Sequence, residues 1–139
     1  MSLDTGLRYA HPLAGIVGIS GYVCEPEKLL KELSPAAKQV PVLVTHGTFD
    51  PVIPIEATRQ QIALLKKAGL NIGWQEFAKP HTIAGELELS VIRKFVKDLA
   101  FPVPAEKTII CYAQLGSDAG FVGAAACARK LFQEKNRKR

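Results

Sequence analysis

The sequence predicts an α/β protein, a mainly parallel sheet of short strands flanked by helices. Short apolar runs alternate with longer stretches in which apolar residues recur at helical spacing, the pattern of strands interleaved with amphipathic helices. The breakers Gly21, Ser34-Pro35 and Gly69 fall at the joints between these segments. The composition, 47% hydrophobic and 22% charged over 139 residues, is ordinary globular composition with enough chain to bury a core.

Taken in order, Leu13–Ser20 reads as a buried strand ended by Gly21. Glu25–Leu33 is a short amphipathic helix with acids in its first turn, stopped near Ser34-Pro35. Val40–Thr45 is the second strand. In Ile55–Ala68, Ile55, Ile62, Leu64 and Leu65 are separated by polar residues, which predicts a helix, and Gly69 stands where a C-terminal cap belongs. Asn71–Phe77 alternates Ile72, Trp74 and Glu76 against Gly73, Gln75 and Phe77, so a third strand lies nearer the sheet edge. Glu86–Leu99 sets Leu87, Val91, Phe95 and Leu99 on one helical face. Phe101-Pro102-Val103-Pro104 is a break. Beyond it Thr108–Leu115 is expected as a fourth strand, and Gly120–Gln133 as a helix with a basic end. Strands alternating with helices favour parallel pairing.

Charge and cysteine usage narrow the function classes. The net charge of +5 is concentrated in the tail: residues 1–100 hold eleven Lys/Arg against ten Asp/Glu, residues 101–139 seven against three. Without aromatic interleaving or an RNA-binding motif, the basic end reads as a solvated helix terminus, and no nucleic-acid partner is expected. No apolar run is long enough to span a bilayer, and no signal-peptide layout opens the chain. Cys24, Cys111 and Cys127 form no CxxC and are odd in number, which fits buried free thiols in a reducing cytoplasm.

Two segments carry chemistry. Val42–Pro54 is an apolar run followed by His46-Gly47-Thr48-Phe49-Asp50-Pro51-Val52-Ile53-Pro54, a strand that delivers the Asp50 carboxylate to the sheet edge. Lys79-Pro80-His81-Thr82-Ile83 puts His81 in the next such loop. An acid followed by a histidine is the back half of a Ser…Asp…His triad in one known chain order. The front half is missing, for no G-x-S-x-G occurs in the 139 residues.

Residues 1 to about 100 resemble the C-terminal portion of the phospholipase/carboxylesterase family of α/β-hydrolases, which includes the acyl-protein thioesterases. The resemblance runs through Thr5-Gly6-Leu7-Arg8-Tyr9, Leu13–Tyr22, the H-G-x-x-D-x-x-x-P pattern of His46–Pro54, and His81-Thr82-Ile83. It implies a partial α/β-hydrolase-type parallel sheet, with Asp50 matching the triad acid and His81 the triad base. Pro80 is a departure, since the family usually has Gly before the His. The resemblance also implies that the nucleophile motif lies upstream of the segment like Ser2–Tyr9. Met1 then reads as an internal methionine or a cut, and the chain as a half-enzyme for acyl esters or thioesters. No cofactor is implied.

The remaining candidates are weaker. Gly18-Ile19-Ser20-Gly21-Tyr22 has Tyr22 where a nucleophile elbow needs Gly, and Ser117 lies in the wrong pattern, so neither serine is expected to act. His11 and His46 read as structural, and no His/Cys/Asp set has metal spacing. Ile109–Ala125 resembles the C-terminal motif of the ROK family of sugar kinases and repressors, whose small residues let a helix pack closely on a strand or approach phosphate. The expected organisation is thus a truncated hydrolase over 1–101, a linker at 102–107, and a ROK-like strand and basic helix over 108–139 that extends the sheet by a β-α unit. The functional alternatives are a non-catalytic α/β scaffold, an oligomer covering an exposed sheet edge, or a sugar- or nucleotide-binding remnant.

Overall fold

Val42-Leu43-Val44 is apolar on consecutive residues, which suits a strand covered on both faces. The computed structural model of the chain, which describes residues 2–111 and 119–137, makes it the middle of a three-stranded sheet. The elements run α1 (Ser2–Gly6), β1 (Ile16–Ile19), α2 (Pro26–Lys31), a 3₁₀ turn (Ala37–Gln39), β2 (Val42–Gly47), α3 (Ile55–Lys67), β3 (Ile72–Phe77), α4 (Gly85–Leu99), α5 (Pro102–Lys107) and α6 (Ala119–Arg137). Both strand pairs are parallel, in the order β1-β2-β3, with Val42 opposite Ile16 on one side and Ile72 on the other. All six residues of β2 are buried, whereas β3 is buried only at Ile72 and half-buried at Trp74 and Phe77, as suits an edge strand; the expected alternation breaks at Glu76, which is exposed.

Alternate residues of a strand face opposite ways. Val42 and Val44 join Leu3 of α1, Leu7 in the turn after it, Leu29 of α2, and Ile62 and Leu65 of α3 in the main core. The residues between them, Leu43 and Thr45, face α4, whose buried positions are Glu88, Leu89 and Ile92. Further along α4, Phe95 and Leu99 lie over Gly15, where an added Cβ would come within 3.0 Å of both side chains. The end of α3 is closed as its Gly predicts: Gly69 has φ +89°, and the Leu70 amide donates back to the Leu65 carbonyl at 3.2 Å.

Several expectations need correction. Leu87 is exposed, because the buried stripe of α4 runs through Glu88, Leu89 and Ile92 while Val91, Phe95 and Leu99 are half-buried. Residues 102–107 are helical, forming α5 with Pro102 at the first position where a missing N–H costs nothing, and a short helix is compatible with the linker expected there. Thr108–Cys111 has no regular structure, and the rest of the strand expected to Leu115 lies outside the described residues. The three cysteines are free, but exposed rather than buried. No described helix is long and apolar enough to cross a membrane.

The chain divides into two compact units, Met1–Thr108 and Ile109–Arg139. The first holds the sheet and every core residue named above. In the second, α6 starts small and turns basic, and the described side chains from Gly123 to Lys130 are exposed.

Candidate functional site

Parallel strands present all their C-terminal ends at one edge, where loops from neighbouring strands meet. β2 ends in Gly47-Thr48-Phe49-Asp50 and β3 in Ala78-Lys79-Pro80-His81. The two loops are stitched together: the Thr48 amide donates to the Phe77 carbonyl at 2.9 Å and the Phe49 amide to the Lys79 carbonyl at 3.2 Å. Gly47 makes this approach feasible. A Cβ there would sit 2.2 Å from the Lys79 carbonyl oxygen and 2.8 Å from that of Pro80, both backbone atoms.

Asp50 is turned inward by its own loop. Its Oδ1 accepts the amides of Val52 and Ile53, both at 2.9 Å, an Asx-type turn that a Pro at residue 51 helps to start. Its Oδ2 is 2.8 Å from Nδ1 of His81. The Asp50 side chain is fully buried, while that of His81 is 41% exposed. Burial by itself raises the Asp50 carboxyl, yet the Ile53 amide, the His81 ring and the Val52 amide together outweigh it and hold the group down at about 2. The loop around His81 is tight, with the Lys79 amide donating to the Phe77 carbonyl and the Thr82 amide to the Pro80 carbonyl, each at 2.8 Å. Pro80 therefore occupies the turn without displacing the histidine from the carboxylate.

An anionic acceptor on Nδ1 fixes the imidazole tautomer and leaves Nε2 as the ring position from which a proton can be taken or given. The acid and the histidine singled out from sequence are thus brought into contact. The other candidates fall elsewhere. His46 is buried, with Nδ1 3.1 Å from the Gly47 carbonyl, Nε2 3.4 Å from the Thr58 hydroxyl, and its ring tilted over Trp74. His11 lies edge-on to Tyr9. Ser20, just after β1, has φ +47° and a buried hydroxyl that has no hydrogen-bond partner among the described residues. A nucleophile elbow passes straight from strand to helix, whereas α2 begins only at Pro26. Ser117 lies outside the described residues.

Sequence reasoning missed a second polar cluster beneath the loop. Lys79 Nζ contacts both oxygens of Glu88, at 2.6 and 2.8 Å, with the two side chains 2% and 0% exposed. Glu88 also accepts the Thr45 hydroxyl and the Ala84 amide. Desolvation pushes the Glu88 carboxyl up, but Lys79 and these two donors outweigh it and the net shift is downward. A lysine before a proline and a glutamate on an amphipathic helix both look like surface residues, and only the loop's return onto α4 pairs them. Among the described residues no three His, Cys, Asp or Glu side chains gather as a metal site.

The chain matches the family model described as phospholipase/carboxylesterase over residues 1–100. Acyl-protein thioesterase 1 of Gibberella zeae is 30% identical over 99 residues, covering 70% of this chain and 42% of that protein. Carboxylesterase SOBER1 of Arabidopsis thaliana is 29% identical over 98 residues, again 70% of this chain and 42% of the relative. The crystal structure of SOBER1 superposes with a TM-score of 0.65 at 28% identity, over 70% of this chain and 46% of that one. Esterase PE8 gives 0.64 at 32% identity, over 72% and 45%. The chain therefore spans less than half the length of these relatives. A family match across residues 1–100, on a parallel sheet whose adjacent strand ends carry a contacting Asp50 and His81, makes this chain a member of the phospholipase/carboxylesterase family.

Proposed function

We propose that Asp50 and His81 are the acid and base of a serine-hydrolase triad acting on acyl esters or thioesters, with a nucleophile from outside these 139 residues. A serine hydroxyl becomes a competent nucleophile when an imidazole takes its proton, and the imidazole then returns that proton to the leaving group. His81 would do both through Nε2, while Asp50 holds Nδ1–H and stabilises the imidazolium. The observation that carries the reading is the 2.8 Å contact between a buried carboxylate and a half-exposed imidazole. The names of the relatives, acyl-protein thioesterase and carboxylesterase, supply the substrate class. Three free cysteines agree with a reducing, cytoplasmic setting.

The test is labelling with a fluorophosphonate followed by intact-mass spectrometry. The 139-residue chain alone is expected to take no adduct. Mixed with a fragment of a family member that carries a G-x-S-x-G motif, it is expected to restore ester turnover, and Asp50→Asn is expected to lower that turnover by about 10⁴-fold and His81→Ala by about 10⁶-fold. An adduct on the chain alone that His81→Ala removes would place the nucleophile inside it. Restored turnover indifferent to both substitutions would exclude the assigned roles. One observation favours a second reading, a non-catalytic α/β scaffold: no G-x-S-x-G occurs in the sequence. Under that reading the folded chain takes no probe in either experiment.

A further inference from the structure

We propose that Lys79 and Glu88 are positioning residues, a buried ion pair that pins the loop between β3 and α4 so that the His81 imidazole meets the Asp50 carboxylate. The proposal rests on the assignment of His81 as the base. Lys79 is held at two points. Its ammonium bridges both Glu88 oxygens, and its carbonyl accepts the Phe49 amide, one residue before Asp50. Both halves of the acid–base pair thus hang on one residue. Glu88 in turn gathers Thr45 of β2, Lys79 on one side of His81, and the Ala84 amide on the other. A single carboxylate therefore closes the loop around the histidine and fastens it to the central strand.

Simple core filling does not account for this arrangement. Taking two charges out of water is costly, and apolar residues of similar volume often stabilise a fold as well or better. What an ion pair adds is direction: the ammonium must meet the carboxylate at hydrogen-bond distance, so the loop cannot slide by a residue or rotate its backbone. An apolar pair would fill the same space and tolerate such a slide. Proton transfer needs the imidazole held closely in place, and the residues that matter for that need not touch substrate.

The experiment follows the His81 Nδ1–H resonance of the 139-residue chain by NMR, together with thermal melting. The wild type is expected to show a downfield, slowly exchanging Nδ1–H that Asp50→Asn abolishes. In the Lys79→Met/Glu88→Leu double variant the melting midpoint is expected to be kept, while exchange of that proton quickens by about tenfold or more. Lys79→Arg, which retains the charge, should restore slow exchange in part. Glu88→Gln, which keeps size and an acceptor oxygen but loses the charge, should quicken exchange even if the double variant does not fold. Wild-type exchange in both the double variant and Glu88→Gln would overturn the proposal. A wild-type protein with no such resonance would instead overturn the Asp50–His81 pairing, and the positioning role with it.

Discussion

At the scale of single residues, Asp50 couples the site to the acid stability of the fold. Its carboxyl falls from 3.8 to about 2: burial pushes it up, and the Ile53 amide, His81 and the Val52 amide pull it further down. The folded value lies below the unfolded one, so the unfolded chain binds the proton first as pH drops. The stabilisation is complete above about pH 4 and drains away as pH falls toward about 2. Asp50→Asn should therefore flatten the decline of the melting midpoint across that window. It will not abolish the decline, because Glu76, held by the Arg59 and Trp74 side chains against opposing desolvation, also lies at about 2. Calorimetry from pH 5 to pH 2.5 checks this, and equal slopes for wild type and variant would refute it. Gly47 presents a steric case. With backbone oxygens 2.2 and 2.8 Å from the position of a Cβ, Gly47→Ala must push the His81 loop away. Urea unfolding is expected to show a destabilisation of about 1–3 kcal/mol, and the His81 Nδ1–H should no longer reach the Asp50 carboxylate. Wild-type stability would mean that the loop yields freely.

At the scale of elements, the faces of the helices make the sharpest statements. Adjacent leucines on α3 differ completely: Leu65 is fully buried and Leu64 is 38% exposed. Leu65→Ala should cost about 2–5 kcal/mol and Leu64→Ala well under about 1 kcal/mol, a contrast that chemical denaturation resolves. Comparable losses for the two would put the helix in a different rotation. The sequence made this helix legible because its apolar spacing and its terminal Gly agree, and Gly69 is indeed at positive φ. The phase of α4 was less legible. Fourfold spacing of Leu87, Val91, Phe95 and Leu99 suggested one stripe, but the ion pair with Lys79 draws Glu88 inward and leaves Leu87 in solvent. Periodicity counts apolar residues and is blind to a buried charge. The Asp50 and His81 loops could be read because each follows an apolar strand at a turn signal. Lys79 and Glu88 could not, since their pairing depends on a loop conformation that no local pattern encodes.

At the scale of the whole molecule, the sheet itself predicts how the protein behaves in solution. Among the described residues β1 pairs with β2 alone. The Ile16 and Ser20 amides donate to Pro41 and Thr45, so the alternate amides of Val17 and Ile19 face the other way, along the outer edge. Ile19 is also 38% exposed. An apolar strand with outward-facing amides and no bulge or charge to blunt it is a template for pairing with another strand. A second copy of the chain offers the same edge, so association should rise with concentration. Light scattering after size exclusion, from about 10 to about 200 μM, is expected to show mass above the monomer. Ile19→Lys places a charge on that edge without removing a β1–β2 hydrogen bond. It should return the protein toward a monomer while leaving its melting midpoint within about 2 °C. A wild-type protein that stays monomeric throughout would mean that the edge is already covered. Association unchanged by Ile19→Lys would place the interface elsewhere on the surface.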